Sequence, residues 1–160
     1  MKSVETDRAV DQGKFLTFVL SKEEYGIEIL KVREIIGVIG ITPVPQTPDY
    51  LKGVINLRGK VIPIIDLRLK FSMPEDEYTQ ETCIIVVEVN NAQIGVVVDK
   101  VSEVIDIKSK DLEENPQFGQ GIDTNFIFAF GKIKEKIIIL LDIDKVLSSE
   151  ESEMIDQITV

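Results

Sequence analysis

Histidine is absent from all 160 residues. That removes the commonest general acid/base, the Ser/His and Cys/His nucleophile pairings, and the commonest metal ligand. Cysteine occurs once, as Cys83, so no disulfide forms within the chain and a reducing compartment fits. No apolar run approaches the roughly 20 residues of a membrane-spanning helix. Residues 1–13 lack the apolar core of a signal peptide, and the expectation is a soluble, cytoplasmic protein. Glycine-rich phosphate loops and the GxSxG elbow are missing as well. Positive charge is in deficit: 18 basic against 28 acidic residues leave a net charge of −10. That argues against nucleic-acid binding, which needs Lys and Arg to neutralise phosphates, and against an anionic membrane surface. The deficit is uneven, with eleven acidic and four basic residues in 111–160.

What is present reads as a chain of short strands. Apolar residues make up 44 %, normal for a globular domain, and 160 residues suffice for one domain or two small subdomains. Residues 1–14 are expected to form a flexible arm. Phe15–Leu20 is an apolar strand, Ser21–Glu24 a polar turn, and Tyr25–Ile29 an alternating strand. Leu30–Ile36 carries a turn of helix and then another strand, through about Ile41. The prolines at 43 and 45 force an extended loop. Thr47 as cap, Pro48 at the first helical position and Gly53 as terminator predict one helical turn over Asp49–Lys52. The polar, acidic stretch SMPEDEYTQET, residues 72–82, reads as a linker. Beyond it lie strands at Cys83–Val89, Ile94–Val98 and Ile137–Leu141, with a turn at Asn90-Asn91. Residues 106–125 read as a polar loop, with Ser109 capping a short helix. Phe126, Phe128 and Phe130 alternate, which places them on one face of a strand, in the core. From Ser148 onward the chain reads as helix, with Ser148 and Glu151 at capping-box spacing and Met154, Ile155 and Ile158 on one packing face.

One stretch organises the rest: GVINLRGKVIPIIDLRL, Gly53–Leu69. It reads as two apolar strands joined by the turn Leu57-Arg58-Gly59-Lys60, with Arg58 at the tip. Pro63 within the second strand predicts an edge or a bulge. Lys52, Arg58, Lys60, Arg68 and Lys70 face a single acid there, Asp66. A basic tip on an acidic body is either a docking feature or an ordinary solvated turn, and the stretch alone leaves both open.

The chain repeats itself. At a shift of 69, Thr17–Ile36 aligns without a gap on Val86–Ile105, matching Gly26 with Gly95, Lys31 with Lys100 and Glu34 with Glu103. At a shift of 76, Val61–Leu67 aligns on Ile137–Ile143, matching Asp66 with Asp142. The copies are 15–71 and 84–147, within one domain spanning 15–147 and joined by the linker 72–82. Internal similarity of this kind implies two like-folded units. Short strands, turn residues and few helices make each unit a small β-barrel in an all-β protein with a C-terminal helix over 148–160. The tips differ: Arg58-Gly59 in the first copy faces Lys134-Glu135 in the second.

Chemistry is not in view. Glu75-Asp76-Glu77 lies in the linker and Asp142/Asp144 at a strand end, so no metal site is expected. Cys83 without a histidine is a buried thiol. No catalytic residue and no cofactor are assigned.

EEYGIEILKVREI (Glu23–Ile35), KGVINLRGKVIPIIDLRLKF (Lys52–Phe71) and IGVVVDKVSEV (Ile94–Val104) resemble the CheW family of bacterial chemotaxis coupling proteins. The resemblance runs from about Phe15 to Glu151. It implies two intertwined five-stranded SH3-like barrels and a non-catalytic adaptor. It implies as partners the cytoplasmic tips of methyl-accepting chemotaxis receptors and the regulatory domain of the histidine kinase CheA, and recruitment to membrane receptor arrays without insertion. The family's receptor contacts fall here on Val32, Glu34 and Arg58, with Val101 and Val104 near the groove between barrels and Gly53 and Ile62 as supports. An adaptor of a related signalling array, and a ligand-binding or enzymatic double barrel, are the competing readings.

Overall fold

The computed structural model describes residues 13–114 and 125–159. Four tight turns set the pattern of hairpins. In three of them, Ser21-Lys22, Arg58-Gly59 and Asn90-Asn91, both turn residues have positive φ. Such a backbone matches the right-handed twist of the flanking strands. The fourth turn, after Ile133, has Lys134 at φ +57°. The hairpins are β1 (Lys14–Leu20) with β2 (Glu23–Glu28), β4 (Leu51–Leu57) with β5 (Lys60–Asp66), β6 (Cys83–Val89) with β7 (Ala92–Val98), and β10 (Ile127–Ile133) with β11 (Lys136–Leu141). Three further strands complete the set: β3 (Val32–Gly37), β8 (Lys100–Asp106) and β9 (Leu112–Glu114). Helices are few: single turns of 3-10 helix at Ile29–Lys31, Ser109–Asp111 and Ile143–Lys145, the short α1 (Leu67–Lys70), and α2 (Ser149–Thr159).

The strands form two sheets, in the orders β8-β1-β2-β11-β10-β9 and β3-β6-β7-β5-β4. Each sheet is a mixture of the two sequence halves. The opening hairpin of each half is inserted into the sheet built by the other half, and the joints are parallel: β2 with β11, and β7 with β5. The copies 15–71 and 84–147 therefore do not coincide with the sheets. The sixth strand of the first sheet, β9, has its counterpart in the second as the single bridge Thr42↔Val54.

The run CIIVVEV shows why these segments are strands. Ile84 and Val86 point into a cluster wrapped by the second sheet, with Ile55, Ile62, Ile64 and Val97. Ile85 and Val87 point the other way, into the large cluster between the sheets. Apolar residues on both faces give a continuous rather than an alternating run. A third cluster, with Phe15, Ile107, Ala129, Ile138 and Leu140, is wrapped by the first sheet. The result is mainly β, two curved sheets each around its own core, with short helices and one C-terminal helix.

Several local expectations change. No helix forms over Asp49–Lys52; the chain turns there, Leu51 N–H donating to Pro48 O at 3.1 Å, and Leu51 already opens β4. Gly53 ends no helix. It sits in β4 at a bulge, with φ +142°, where a Cβ would lie 2.1 Å from Thr42 O. Pro63 lies on an interior strand, because the parallel ladder to β7 begins only at Ile64, so its missing N–H costs no ladder bond there. Ser109 begins its 3-10 turn instead of capping it; no side chain caps that turn. A bulge between Ile127 and Ala129 divides the phenylalanine stripe. Phe126 stacks on Phe71 at 4.8 Å in the inter-sheet cluster, whereas Phe128 joins Phe15 in the third. Gly13 and Lys14 belong to the sheet region: Gly13 O accepts from Ile107 N–H and Lys14 opens β1. The remainder of the expected arm, residues 1–12, lies outside the described residues, as do 115–124 of the polar loop and Val160.

Other expectations match. Ser148 and Glu151 form the reciprocal capping box: Ser148 N–H donates to Glu151 Oε1 at 2.8 Å, and Glu151 N–H to Ser148 Oγ at 3.1 Å. Ile155 is buried in the inter-sheet cluster with Met154 and Ile158 against it. Asp66 ends β5 and Asp142 follows β11, and the two play like parts: Asp66 caps α1 and Asp142 the last 3-10 turn.

Candidate functional site

Arg58 takes φ +53° as the first of the two loop residues between β4 and β5. Asn56 Oδ1 accepts the Gly59 N–H at 2.8 Å, which closes the turn and fixes the direction in which Arg58 leaves it. Glu34 comes from β3, at the opposite edge of the same sheet. The sheet curls enough to bring these edges together, and the Arg58 guanidinium donates through Nη1 and Nη2 to the two carboxylate oxygens of Glu34. A paired fork of this kind fixes orientation as well as charge. The hydrogen bond from Arg58 holds the Glu34 carboxyl below its ordinary range, and Glu34 in turn raises Arg58. Arg58 is nevertheless 71 % exposed and Glu34 31 % exposed.

The remaining basic residues around the hairpin are not a free patch. Lys52 pairs with Glu75, Arg68 with Asp99 and Asp76, and Lys70 with Glu151. The basic cluster read from the sequence is mostly neutralised within the chain, by acids that lie in the linker, at the β7–β8 corner and on α2. What distinguishes the tip is an exposed, oriented Arg–Glu pair.

Of the other residues singled out, Val32 lies on β3 ahead of Glu34 and packs against the inter-sheet core. Val101, its repeat equivalent on β8, packs against the same core from the first sheet. Val104 is exposed on β8, on the other sheet from the Glu34–Arg58 pair. Ile62 is buried beneath the hairpin, and Gly53 holds the bulge that lets the chain at Thr42 close on β4. The structure thus joins Glu34 to Arg58 directly, and Val32 to Val101 through one apolar cluster.

Two neighbours went unread in the sequence. Ile35 on β3 and Val61 on β5 are exposed large apolar residues. Their repeat equivalents are Val104 and Ile137, which are exposed as well. These are the four exposed large apolar residues that lie on strands among the described residues. The repeat carried that signal, but burial was needed to read it. Among the described residues no cluster of three potential metal ligands exists, and no helix is long and apolar enough to cross a membrane.

Residues 14–151 match the CheW-like domain family. The chain belongs to the CheW-like family. It is 43 % identical over 145 residues to the chemotaxis protein CheW of Klebsiella aerogenes, covering 91 % of this chain and 87 % of that one. It is 36 % identical over 137 residues to CheW of Helicobacter pylori, covering 86 % and 82 %. The crystal structure of the scaffolding protein TtCheW from Thermoanaerobacter tengcongensis superposes with a TM-score of 0.79 at 35 % identity, over 87 % of this chain and 96 % of that one. CheW-like proteins of this kind are non-catalytic scaffolds of chemotaxis.

Proposed function

We propose that this CheW-like chain couples the cytoplasmic tips of chemoreceptors to the histidine kinase CheA, by holding both at once. The observation that carries the reading is the exposed Arg58–Glu34 fork at the sheet edge, with exposed Ile35 and Val61 on the strands that bear it. A helical receptor segment offers apolar residues in register and a few charges, which such a surface accepts. Glu34 and Arg58 set the orientation of that segment by charge pairing. Val32 and Val101 border the same inter-sheet core, so a helix laid over the joint between the sheets meets both, with Val104 beyond. Gly53 and Ile62 hold the hairpin in place beneath. The kinase meets an unpaired sheet edge through a domain of similar architecture, and this places the chain at receptor arrays on the cytoplasmic side of the membrane.

The test is Arg58→Ala against a receptor-tip fragment by titration calorimetry, with an amide NMR spectrum to verify the fold. Truncation of an interface arginine costs about 2 kcal/mol, or about 30-fold in affinity. The expected result is a loss of that size with an unchanged spectrum away from the hairpin. Unchanged affinity refutes the role given to Arg58.

A further inference from the structure

The two connectors that cross from one sheet to the other are pinned in related ways. The 3-10 turn Ile29–Lys31 leads from β2 in the first sheet to β3 in the second. Asp99 stands at the matching crossing, between β7 and β8. Asp99 is held by Arg68, through Nε at 2.7 Å and Nη2 at 2.5 Å, and by the Ser21 N–H at 2.9 Å. Lys31 is held by Asp144, Nζ to Oδ2 at 2.7 Å. By the repeat shifts of 69 and 76, Asp99 answers to Leu30 and Arg68 answers to Asp144. The tie therefore occurs twice, with its polarity reversed and displaced by one residue.

The ties differ in strength. Arg68 and Asp99 are 16 % and 27 % exposed and doubly bonded; Lys31 and Asp144 are 35 % and 34 % exposed and share one bond. They also lead into different strands. Lys31 is the last residue before β3, the strand of Val32 and Glu34. The ladder from β3 to β6 is irregular at that point: Val32 pairs with Val87 and Glu34 with Val86, with a bulge between them. A bulge leaves one residue outside the ladder and bends the strand. The residue left out here is Arg33, so the ladder is interrupted immediately ahead of Glu34, and the corner at Lys31 shares in setting how β3 enters its pairing with Val86.

We propose that Lys31 and Asp144 are positioning residues that seat the start of β3 so that the Glu34 carboxylate meets the Arg58 fork. Asp144 belongs to the other sequence half, and its hydrogen bond to Lys31 joins it to the start of β3. As far as partner affinity is concerned, this rests on the reading of the Arg58–Glu34 site given above; the placement of Glu34 itself does not.

The experiment tracks the Glu34 side-chain carboxyl by NMR through an acid titration, in the full chain and in Asp144→Asn. Direct loss of a nearby anion would make Glu34 easier to ionise and lower its titration. Loss of the tie loosens the Arg58 fork and raises it toward the ordinary carboxylate range. A rise in Asp144→Asn, reversed in the exchanged pair Lys31→Asp with Asp144→Lys, is the expected result. No change, a fall, or a rise that the exchanged pair leaves in place overturns the proposal. Should Asp144→Asn fail to fold, Lys31→Gln breaks the tie from the other side. There the Arg58 guanidinium protons are read, which exchange faster if the fork opens and as in the unaltered chain if the proposal is wrong. In the binding arm, Asp144→Asn is expected to weaken capture of the receptor-tip fragment several-fold. If Arg58→Ala leaves that binding unaffected, the functional reading fails, while the Glu34 titration still decides the positioning role.

Discussion

Gly53 and Arg58 lie five positions apart on one hairpin and illustrate two kinds of demand on a single residue. At Gly53 the demand is steric: positive φ in a strand, with the Thr42 carbonyl where a Cβ would stand. Gly53→Ala is expected to destabilise the fold by about 2–3 kcal/mol, since both backbone strain and a backbone clash must be relieved. Denaturant unfolding measures it. At Arg58 the demand is electrostatic and the fold depends on it little, because the side chain is largely in solvent. Glu34, with its pKa depressed by Arg58, adds stability that is present above the ordinary carboxylate pKa and is lost as pH falls through its lowered folded value. Its carboxyl NMR titration is expected below the ordinary 4.5 and to move back up in Arg58→Ala. The sequence suggested a helix end at Gly53, because Thr47, Pro48 and Gly53 have helix-boundary spacing. The actual cause, the Thr42 backbone bridging to β4, is a tertiary contact that local pattern does not contain. Resemblance pointed to Glu34 and Arg58 separately; their partnership required the curl of the sheet.

Among the elements, α2 was the most legible, since its capping box and apolar face are local and derive from spacing alone. What spacing did not disclose is how its first turn is anchored. Burial pushes the Glu151 carboxyl up, but the Ser148 N–H, Lys70 and the Tyr50 hydroxyl together hold it below the ordinary range. Tyr50 donates at 2.9 Å and Lys70 reaches both oxygens at 2.9 and 3.0 Å. Glu151→Ala is expected to cost about 1–2 kcal/mol in docking of α2, the sum of a lost cap and a partly buried pair. Faster hydrogen exchange of the α2 amides, with the β6–β7 amides unchanged, is the signature. By the same logic α2 stays docked above the ordinary carboxylate range and loosens as pH falls below it. The linker 72–82 also proved to be tied down: Tyr78 donates to the buried Asp66 at 2.8 Å, and Asp76 and Glu75 pair with Arg68 and Lys52. Its polar, acidic composition reads as a loose connector because ion pairs to distant residues leave no periodic trace.

For the molecule as a whole, the exchange of hairpins is the governing feature. The repeat was visible because matched Gly26 and Gly95, and matched Asp66 and Asp142, occupy equivalent places. Gly26 lies against Leu140 and Gly95 against Ile64, each at the parallel joint with the other half. Which half completes which sheet was not visible, since β2 and β11 are far apart in sequence and either arrangement buries the same apolar residues. The consequence is mutual dependence. Neither 1–71 nor 83–160 contains a complete sheet, so each fragment alone is expected to give an unfolded circular dichroism spectrum, and the mixture to recover the strand signal. A folded isolated fragment would contradict the exchange. The exchange ties the folding of the two sheets together, which suits the proposed role of holding receptor and kinase at once. The most direct measurement of that role is co-sedimentation of membrane-bound receptor, CheA and this protein, with kinase activity read in the same sample. CheA is expected to pellet and to be activated only when the chain is present, and Arg58→Ala to lower both effects strongly while remaining folded. Full recruitment and activation by Arg58→Ala, or recruitment of CheA without the chain, would contradict that role.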